Sequence, residues 1–307
     1  MMPSALRIFL TGVAMGAADI VPGVSGGTVA FLSGLYDRLV GALARLGPGL
    51  LGIWRRQGWS AAWQAMDGSF LVTLAAGILV SILTLSHVMT WALSAWPQLV
   101  WGFFFGLVLS GVYVLVRPLP RTPALALAFL CGAAVGLVAS NGFPAQLPPT
   151  PWNLFWGGAL AICAMILPGI SGSFILLLLG LYLPVIEAVK SLNIPVMAIF
   201  ASGCVVGLIS FSRILHWLLA RYHQIGVALL AGVMAGALFK LWPWKYTLEY
   251  QYRPGRDPFP LVQANVWPQS FEQMTGQPAM LWATVAMAVL GGFLVIWMLK
   301  LGTRSQK

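Results

Sequence analysis

Long apolar runs separated by short polar gaps dominate the chain. Six of them, at 69–95, 98–117, 123–140, 195–219, 223–241 and 279–299, are long enough for a helix to cross a bilayer, which takes about 20 residues. Two further apolar stretches, 5–46 and 152–190, are interrupted midway by Pro22-Gly23-Val24-Ser25-Gly26-Gly27 and Pro168-Gly169-Ile170-Ser171-Gly172-Ser173. The arm before each interruption is about 14–16 residues, or roughly 21–24 Å as helix, which is short for a crossing. The pattern predicts two re-entrant helical hairpins whose tips lie inside the membrane. A new helix is expected to start near Val24–Thr28 and again near Ile170–Phe174.

The pattern also repeats. Residues 12–36, GVAMGAADIVPGVSGGTVAFLSGLY, align without a gap to residues 158–182, GALAICAMILPGISGSFILLLLGLY. Residues 75–91 align in turn with 201–217, a register that pairs Gly77 with Gly203 and, further on, Gly106 with Gly232. Each half, 1–150 and 151–307, is one hairpin followed by three spans, with a longer basic linker around 45–68 in the first. Three is odd, so the second half is expected to be inverted relative to the first. That is the plan of secondary transporters, in which substrate is handled where broken helices meet. The expected fold is an all-α polytopic membrane protein.

Composition supports this reading. Of 307 residues, 59% are hydrophobic and 8% charged, against about 25% charged in soluble domains. A water-facing surface cannot be assembled from so few charges, which excludes a soluble enzyme. The net charge of +10 does not point to nucleic acid, because the positives sit mostly in short gaps where they set membrane orientation. Arg7, Arg38, Arg45, Arg55 and Arg56 flank the first hairpin and place both its ends, and the N-terminus, in the cytoplasm. Arg117, Arg121, Arg221 and the tail with Lys300, Arg304 and Lys307 then fall on the same side, and the uncharged 141–151 loop falls outside. The N-terminal apolar segment has the look of a signal peptide, but it continues into the glycine-rich break and is read as part of the fold. Cys131, Cys163 and Cys204 lie within apolar runs, as packing residues do.

Non-helical backbone at membrane depth is tolerated only where protein buries it or a wet cavity solvates it, so two breaks predict a central polar cavity. The first N–H groups of a helix lack partners, and the helix dipole places positive charge there. Gly23, Gly26, Gly27, Gly169 and Gly172 would let a ligand approach the backbone, and Ser25, Thr28, Ser171 and Ser173 add hydroxyls. Together they form an anion receptor suited to phosphate; the same residue types also suit plain bending and capping. Asp19, opposite Met165 in the repeat, is either a proton-coupling carboxylate or a cap on the interrupted helix. Arg213, near the inner end of its span, either draws phosphate to an inner vestibule or snorkels to the headgroups.

His87 and His216 are weaker polar candidates near span ends, and Tyr36 and Tyr182 read as interface anchors. The polar stretch 242–278, placed outside, interleaves Trp242, Trp244, Tyr246, Tyr250 and Tyr252 with Lys245, Arg253 and Arg256. With Lys240 these cations mark an outer entrance, and the stretch is either a lid over the outer leaflet or a solvated loop with an aromatic belt. No cofactor or metal is expected: there is no His/Cys cluster at ligand spacing, and GVSGGT lacks the ending of a nucleotide-binding loop.

The blocks GVAMGAADIVPGVSGGT, AICAMILPGISGSFILLLLGLY and LFKLWPWK resemble the bacterial undecaprenyl phosphate translocase family of polyprenyl-phosphate transporters. With the span order, the resemblance covers nearly the whole chain. It implies a flippase of the bacterial inner (plasma) membrane that returns undecaprenyl phosphate from the outer to the inner leaflet, for peptidoglycan and other envelope polymers. The implied partner is a polyprenyl phosphate lipid whose tail stays in the bilayer while its headgroup passes the hairpin tips. No step requires covalent chemistry, so no enzymatic activity is expected. Two other readings would use the same tips: an ion-coupled transporter of a small soluble anion, and an intramembrane lipid phosphatase or transferase, which lacks a nucleophile–base pair.

Overall fold

The computed structural model describes residues 4–20, 25–141, 147–253 and 256–304. The chain is mainly helical. The first half holds α1 (Ala5–Ile20), α2 (Gly26–Leu32), α3 (Tyr36–Ala44), α4 (Pro48–Ala65), α5 (Gly68–Ala95), α6 (Pro97–Val116) and α7 (Pro123–Asn141). The second holds α8 (Pro151–Ile166), α9 (Gly172–Leu178), α10 (Tyr182–Lys190), α11 (Ile194–Arg221), α12 (His223–Ala237), β1 (Lys245–Arg253), β2 (Arg256–Asn265), α13 (Pro268–Thr275) and α14 (Leu281–Arg304).

The helix ends before each interruption, at Ile20 and at Ile166, and a new one starts at Gly26 and at Gly172. In each half a 16-residue helix is followed by one of 7 and one of 9 residues. The turns joining the short helices are alike. Gly34 and Gly180 take left-handed φ angles of 75° and 72°, and the next N–H reaches back, Leu35 to Ala30 O (3.0 Å) and Leu181 to Leu176 O (2.9 Å). This is the usual way a glycine closes a helix. Just before each turn the chain is tied to a residue in the first turn of its own long helix or to the segment that leads into it. Ser33 O accepts from Arg7 Nη2 (2.9 Å), and Leu179 O accepts from Leu147 N–H (3.1 Å).

Four described stretches are long and apolar enough to cross a membrane as single helices: Gly68–Leu85, Pro97–Val116, Pro123–Ser140 and Ile194–Arg221. These are four of the six expected; 223–241 and 279–299 hold shorter apolar helices among the described residues, and α9 and α10, within the second expected hairpin, form a bent pair at 113° to one another. The expected 223–241 span stops early because the backbone tightens after Ala237, where Lys240 N–H bonds to Ala237 O (2.9 Å) and Leu241 N–H to Leu238 O (3.1 Å). Leu83, Leu127, Leu130, Val138, Trp282 and Phe293 are 62–83% exposed, a coat that water would reject and lipid accepts. The protein is a multi-pass membrane protein.

Helices pack in matched pairs: α1 with α5, α8 with α11, α6 with α14 and α7 with α12. Lipid tails are as apolar as the helices, so association depends on close contact between small residues. A Cβ on Gly77 would strike Phe9 O, and one on Gly203 would strike Phe155 O. Gly106 meets Ala288 O and Gly232 meets Phe129 O in the same way, so the glycines paired by the repeat register are the crossing points.

One expectation needs correction. The stretch 242–278 is not all loop or helix: β1 and β2 form an antiparallel hairpin, paired from Lys245↔Asn265 to Arg253↔Arg256. Trp244, Phe271 and Ala279 bury together at its base, with Trp244 Nε1 donating to Ala279 O and Trp242 Nε1 to Val266 O, both at 2.8 Å. Trp244 thus belongs to a small core, with Trp242 packed partly buried against it. The linker around 45–68 is largely α4, divided at Gly58 (φ 82°), and Arg38 ties α3 to the head of α5 through Asp67 (2.6 and 3.0 Å).

Gly203→Ala is expected to destabilise the protein by about 1–3 kcal/mol, because the added methyl meets backbone that cannot turn aside. Gly49→Ala, where the methyl meets nothing, is expected to be neutral or slightly stabilising. Thermal unfolding in detergent checks both, and equal midpoints for the two variants would contradict glycine-mediated packing.

Candidate functional site

The two broken helices meet each other. The first helix after the break, α2, begins at Ser25, whose side chain caps it by accepting from Gly27 N–H (3.1 Å). Ser25 Oγ also lies 3.3 Å from the carbonyls of Met165, in the last turn of α8, and of Leu167, which caps it. Thr28 Oγ1 accepts from Gly169 N–H (2.8 Å), and Tyr36 donates its phenol proton to Ile166 O (2.9 Å). Gly169 is itself in the left-handed region (φ 89°) and packs on α12 at Met234 and Ala237. Three side chains of one half thus satisfy the unwound backbone of the other. Ser25, Thr28 and Tyr36 are no more than 1% exposed.

The tips are unequal. At the first, Asp19 Oδ1 accepts from Gly26 N–H (2.7 Å), Ser25 Oγ takes Gly27 N–H, and Ser25 O takes Thr28 N–H (2.9 Å). The orphan donors of α2 are therefore occupied. The Asp19 residue itself keeps accessible surface. At the second tip the matching position is Met165, whose Cγ lies where a Cβ on Gly172 would be, and a thioether is a poor acceptor. Ser171 makes no capping bond to α9. Its hydroxyl is 2.9 Å from that of Ser173, and the pair is accessible. Lys240 Nζ lies 4.3 Å from the ring centre of Phe174, the next residue.

The remaining candidates fall elsewhere. Gly23 lies outside the described residues. Arg253 and Arg256 sit at the turn end of the β-hairpin, and their side chains lie outside the description. Arg213 donates through Nε to Ala44 O and through Nη2 to Leu46 O, both at 3.2 Å, so it caps the end of α3 and is not brought to the tips. Lys245 is buried at the root of β1, its ammonium 3.4 Å from the ring centre of Trp101. Burial, with the Lys240 charge nearby, pulls its pKa well below the ordinary lysine range.

Sequence reasoning missed Tyr36 as a brace and placed Lys240 with the outer cations, not beside Phe174. The first was legible only as a tyrosine ending a GLY turn, which its partner 130 residues away in sequence does not announce.

Thr28→Val keeps the shape but leaves Gly169 N–H without an acceptor, which is expected to cost about 1–3 kcal/mol. The measurement is the unfolding midpoint of the detergent-solubilised protein, and an unchanged midpoint would show that the cross-tip bond contributes nothing.

Known proteins give the same direction. The profile of the Undecaprenyl phosphate translocase-like family matches residues 15–256, a stretch that includes both breaks. The chain is 46% identical over 277 residues to a Vibrio cholerae protein named Polyprenyl-phosphate transporter, covering 89% of each. It is 30% identical over 253 residues to a Staphylococcus aureus protein of the same name, covering 76% of this chain and 85% of that one. These names describe transport and not catalysis. No solved structure matches significantly. By the extent of these matches, the chain belongs to the undecaprenyl phosphate translocase-like family.

Proposed function

We propose that the protein is a flippase that returns undecaprenyl phosphate from the outer to the inner leaflet of the bacterial plasma membrane. The chain would be an inverted repeat of two re-entrant hairpins, each followed by three spans, with both termini in the cytoplasm. The matched helix lengths, matched turns and matched glycine crossings support the repeat. The basic residues at one set of helix ends support the orientation.

The observation that carries the reading is the inequality of the tips. A phosphate needs donors that are free and reachable, and the second tip offers the Ser171 and Ser173 hydroxyls, an uncapped helix start with Gly172, and the Lys240 ammonium beside Phe174. The first tip, with Ser25, Gly26, Gly27 and Thr28, braces the second in this conformation and would reach the headgroup only when the cross-tip bonds open. An apolar groove of about 650 Å³, lined by Phe105, Ala133, Leu137, Phe239, Trp242 and Trp267, flanks the segment that carries Lys240. An isoprenoid chain could lie there while the phosphate meets the lysine. On the other side, an apolar cleft of about 960 Å³ with Arg117 and Arg121 at its lining suits release better than Arg213, whose guanidinium is held by carbonyls.

The test is a leaflet assay with undecaprenyl phosphate in vesicles containing the purified protein. Ser171→Ala with Ser173→Ala, and separately Lys240→Gln, are each expected to slow transport about 10- to 100-fold, the effect of losing charge-assisted hydrogen bonds. Wild-type rates in folded variants would remove the second tip from the site, and release of free phosphate would replace the flippase with a phosphatase.

Asp19 is the coupling candidate, since a proton on its carboxylate changes the bond that holds α2 to α1. Asp19→Asn keeps an acceptor for Gly26 N–H but carries no charge. Transport by this variant is expected to lose its response to an imposed pH gradient; a full response in the variant rules Asp19 out.

A further inference from the structure

The base of the β-hairpin also borders a second, polar recess. This cleft, of about 400 Å³, is lined by Gln98, Trp101, Lys245, Thr247, Thr275 and Gln277, among others. Its residues differ from those of the apolar groove, which takes Trp242, Asn265 and Val266 from the same two strand ends. Lys245 is 9% exposed, and its ammonium is closed to solvent with no hydrogen-bond partner. An ammonium carries three donors, so a buried one without an acceptor is incomplete. The Trp101 face beneath it supplies attraction from one side only.

Among the described residues no acidic side chain pairs with Lys245. Among the described residues the one salt bridge is Arg38 to Asp67, far along the chain. Glu272, on the α13 helix that contributes Thr275 to the cleft, is engaged by Ala279 N–H (2.9 Å). The Lys240 charge, which is also positive, acts on Lys245. The cleft therefore combines positive potential with amide and hydroxyl donors. Gln98 is itself 5% exposed. Such a set is complementary to a tetrahedral oxyanion, which accepts from several directions at once.

We propose that this cleft binds a phosphate group, held by Lys245 over Trp101 with Gln98 as a further donor, as a site separate from the hairpin tips. The phosphate is that of a lipid headgroup or of free phosphate, since both present the same oxygens. If the orientation proposed above holds, the cleft lies at the outer mouth and is a first station before Lys240 and the second tip. Its position at the mouth rests on that reading, whereas its capacity to bind phosphate does not.

The experiment measures phosphate binding to the full chain in nanodiscs of zwitterionic lipid, with inorganic phosphate in one arm and a short-chain polyprenyl phosphate in the other. Wild type is expected to bind in two components. Lys245→Met is expected to weaken one component about tenfold or more, with Lys245→Arg restoring it, and Ser171→Ala with Ser173→Ala is expected to remove the other. Gln98→Leu, which leaves the Lys245–Trp101 stack in place, is expected to weaken the Lys245-dependent component and serves if Lys245→Met does not fold. A component seen with both probes assigns the cleft to any phosphate, and one seen only with the lipid assigns it to the headgroup. Binding indifferent to both Lys245→Met and Gln98→Leu overturns the cleft site, while binding indifferent only to the serine variants overturns the tip site.

Discussion

Unwound backbone in apolar surroundings must find partners, and the structure turns on how the two breaks meet that demand. Each break frees carbonyls behind it and N–H groups ahead of it. Here Ser25, Thr28 and Tyr36 of one half serve the 165–169 backbone of the other. The hairpins are therefore one unit, and neither tip can move without leaving polar groups of its partner unpaired. Each neutral hydrogen bond contributes about 0.5–1.5 kcal/mol net, so the cross-tip set sums to a few kcal/mol. A gap of that size is what a two-state element needs: enough to hold one arrangement, small enough for a bound headgroup to shift. The same bonds that close the fold are thus the ones a transport cycle would have to exchange.

The matched glycine crossings fit this picture. With backbones in contact at Gly77 and Gly203, α1 and α5 form one rigid pair and α8 and α11 another. In the proposed cycle, rearrangement would then fall on the short helices α2, α9 and α10 and on the seam between the tips. Lys240 stands beside that seam because α12 stops at Ala237, against which Gly169 packs.

What was legible in the sequence is what local pattern encodes. Apolar runs located the long helices, Gly and Pro located both breaks, and the internal alignment picked out the crossing glycines. What was illegible depends on contacts across the two halves. A serine or threonine beside a glycine break looks the same whether it awaits a ligand or braces a distant carbonyl, so Ser25 and Thr28 read as receptors and are found as braces. The β-hairpin was within reach: Tyr246, Leu248, Tyr250 and Tyr252 alternate with Thr247, Glu249 and Gln251 before Pro254-Gly255, the period of a strand and the residues of a turn. Its aromatic content suggested a membrane belt and hid the alternation. Lys245 looked like one more outer cation, and nothing in its neighbours announced that Trp101, from another helix, would lie under it.

The repeat is most informative where it fails. A strictly symmetric pair would present two equal tips, each with the same claim on a single phosphate. Asp19 breaks that equality by placing a carboxylate where an anionic ligand would otherwise sit, so the first tip carries its own anion surrogate. Met165, at the matching position, fills space without accepting a hydrogen bond and leaves the second tip's hydroxyls accessible. The positive residue follows the same division, since Lys240 approaches α9 and not α2. The tips thus differ in their own partners: the first tip's N–H groups are met by Asp19 and Ser25, whereas among the described residues no side chain caps the start of α9. On the proposed reading, a duplicated scaffold would gain a direction in this manner, because binding at one tip and bracing at the other would no longer be interchangeable roles.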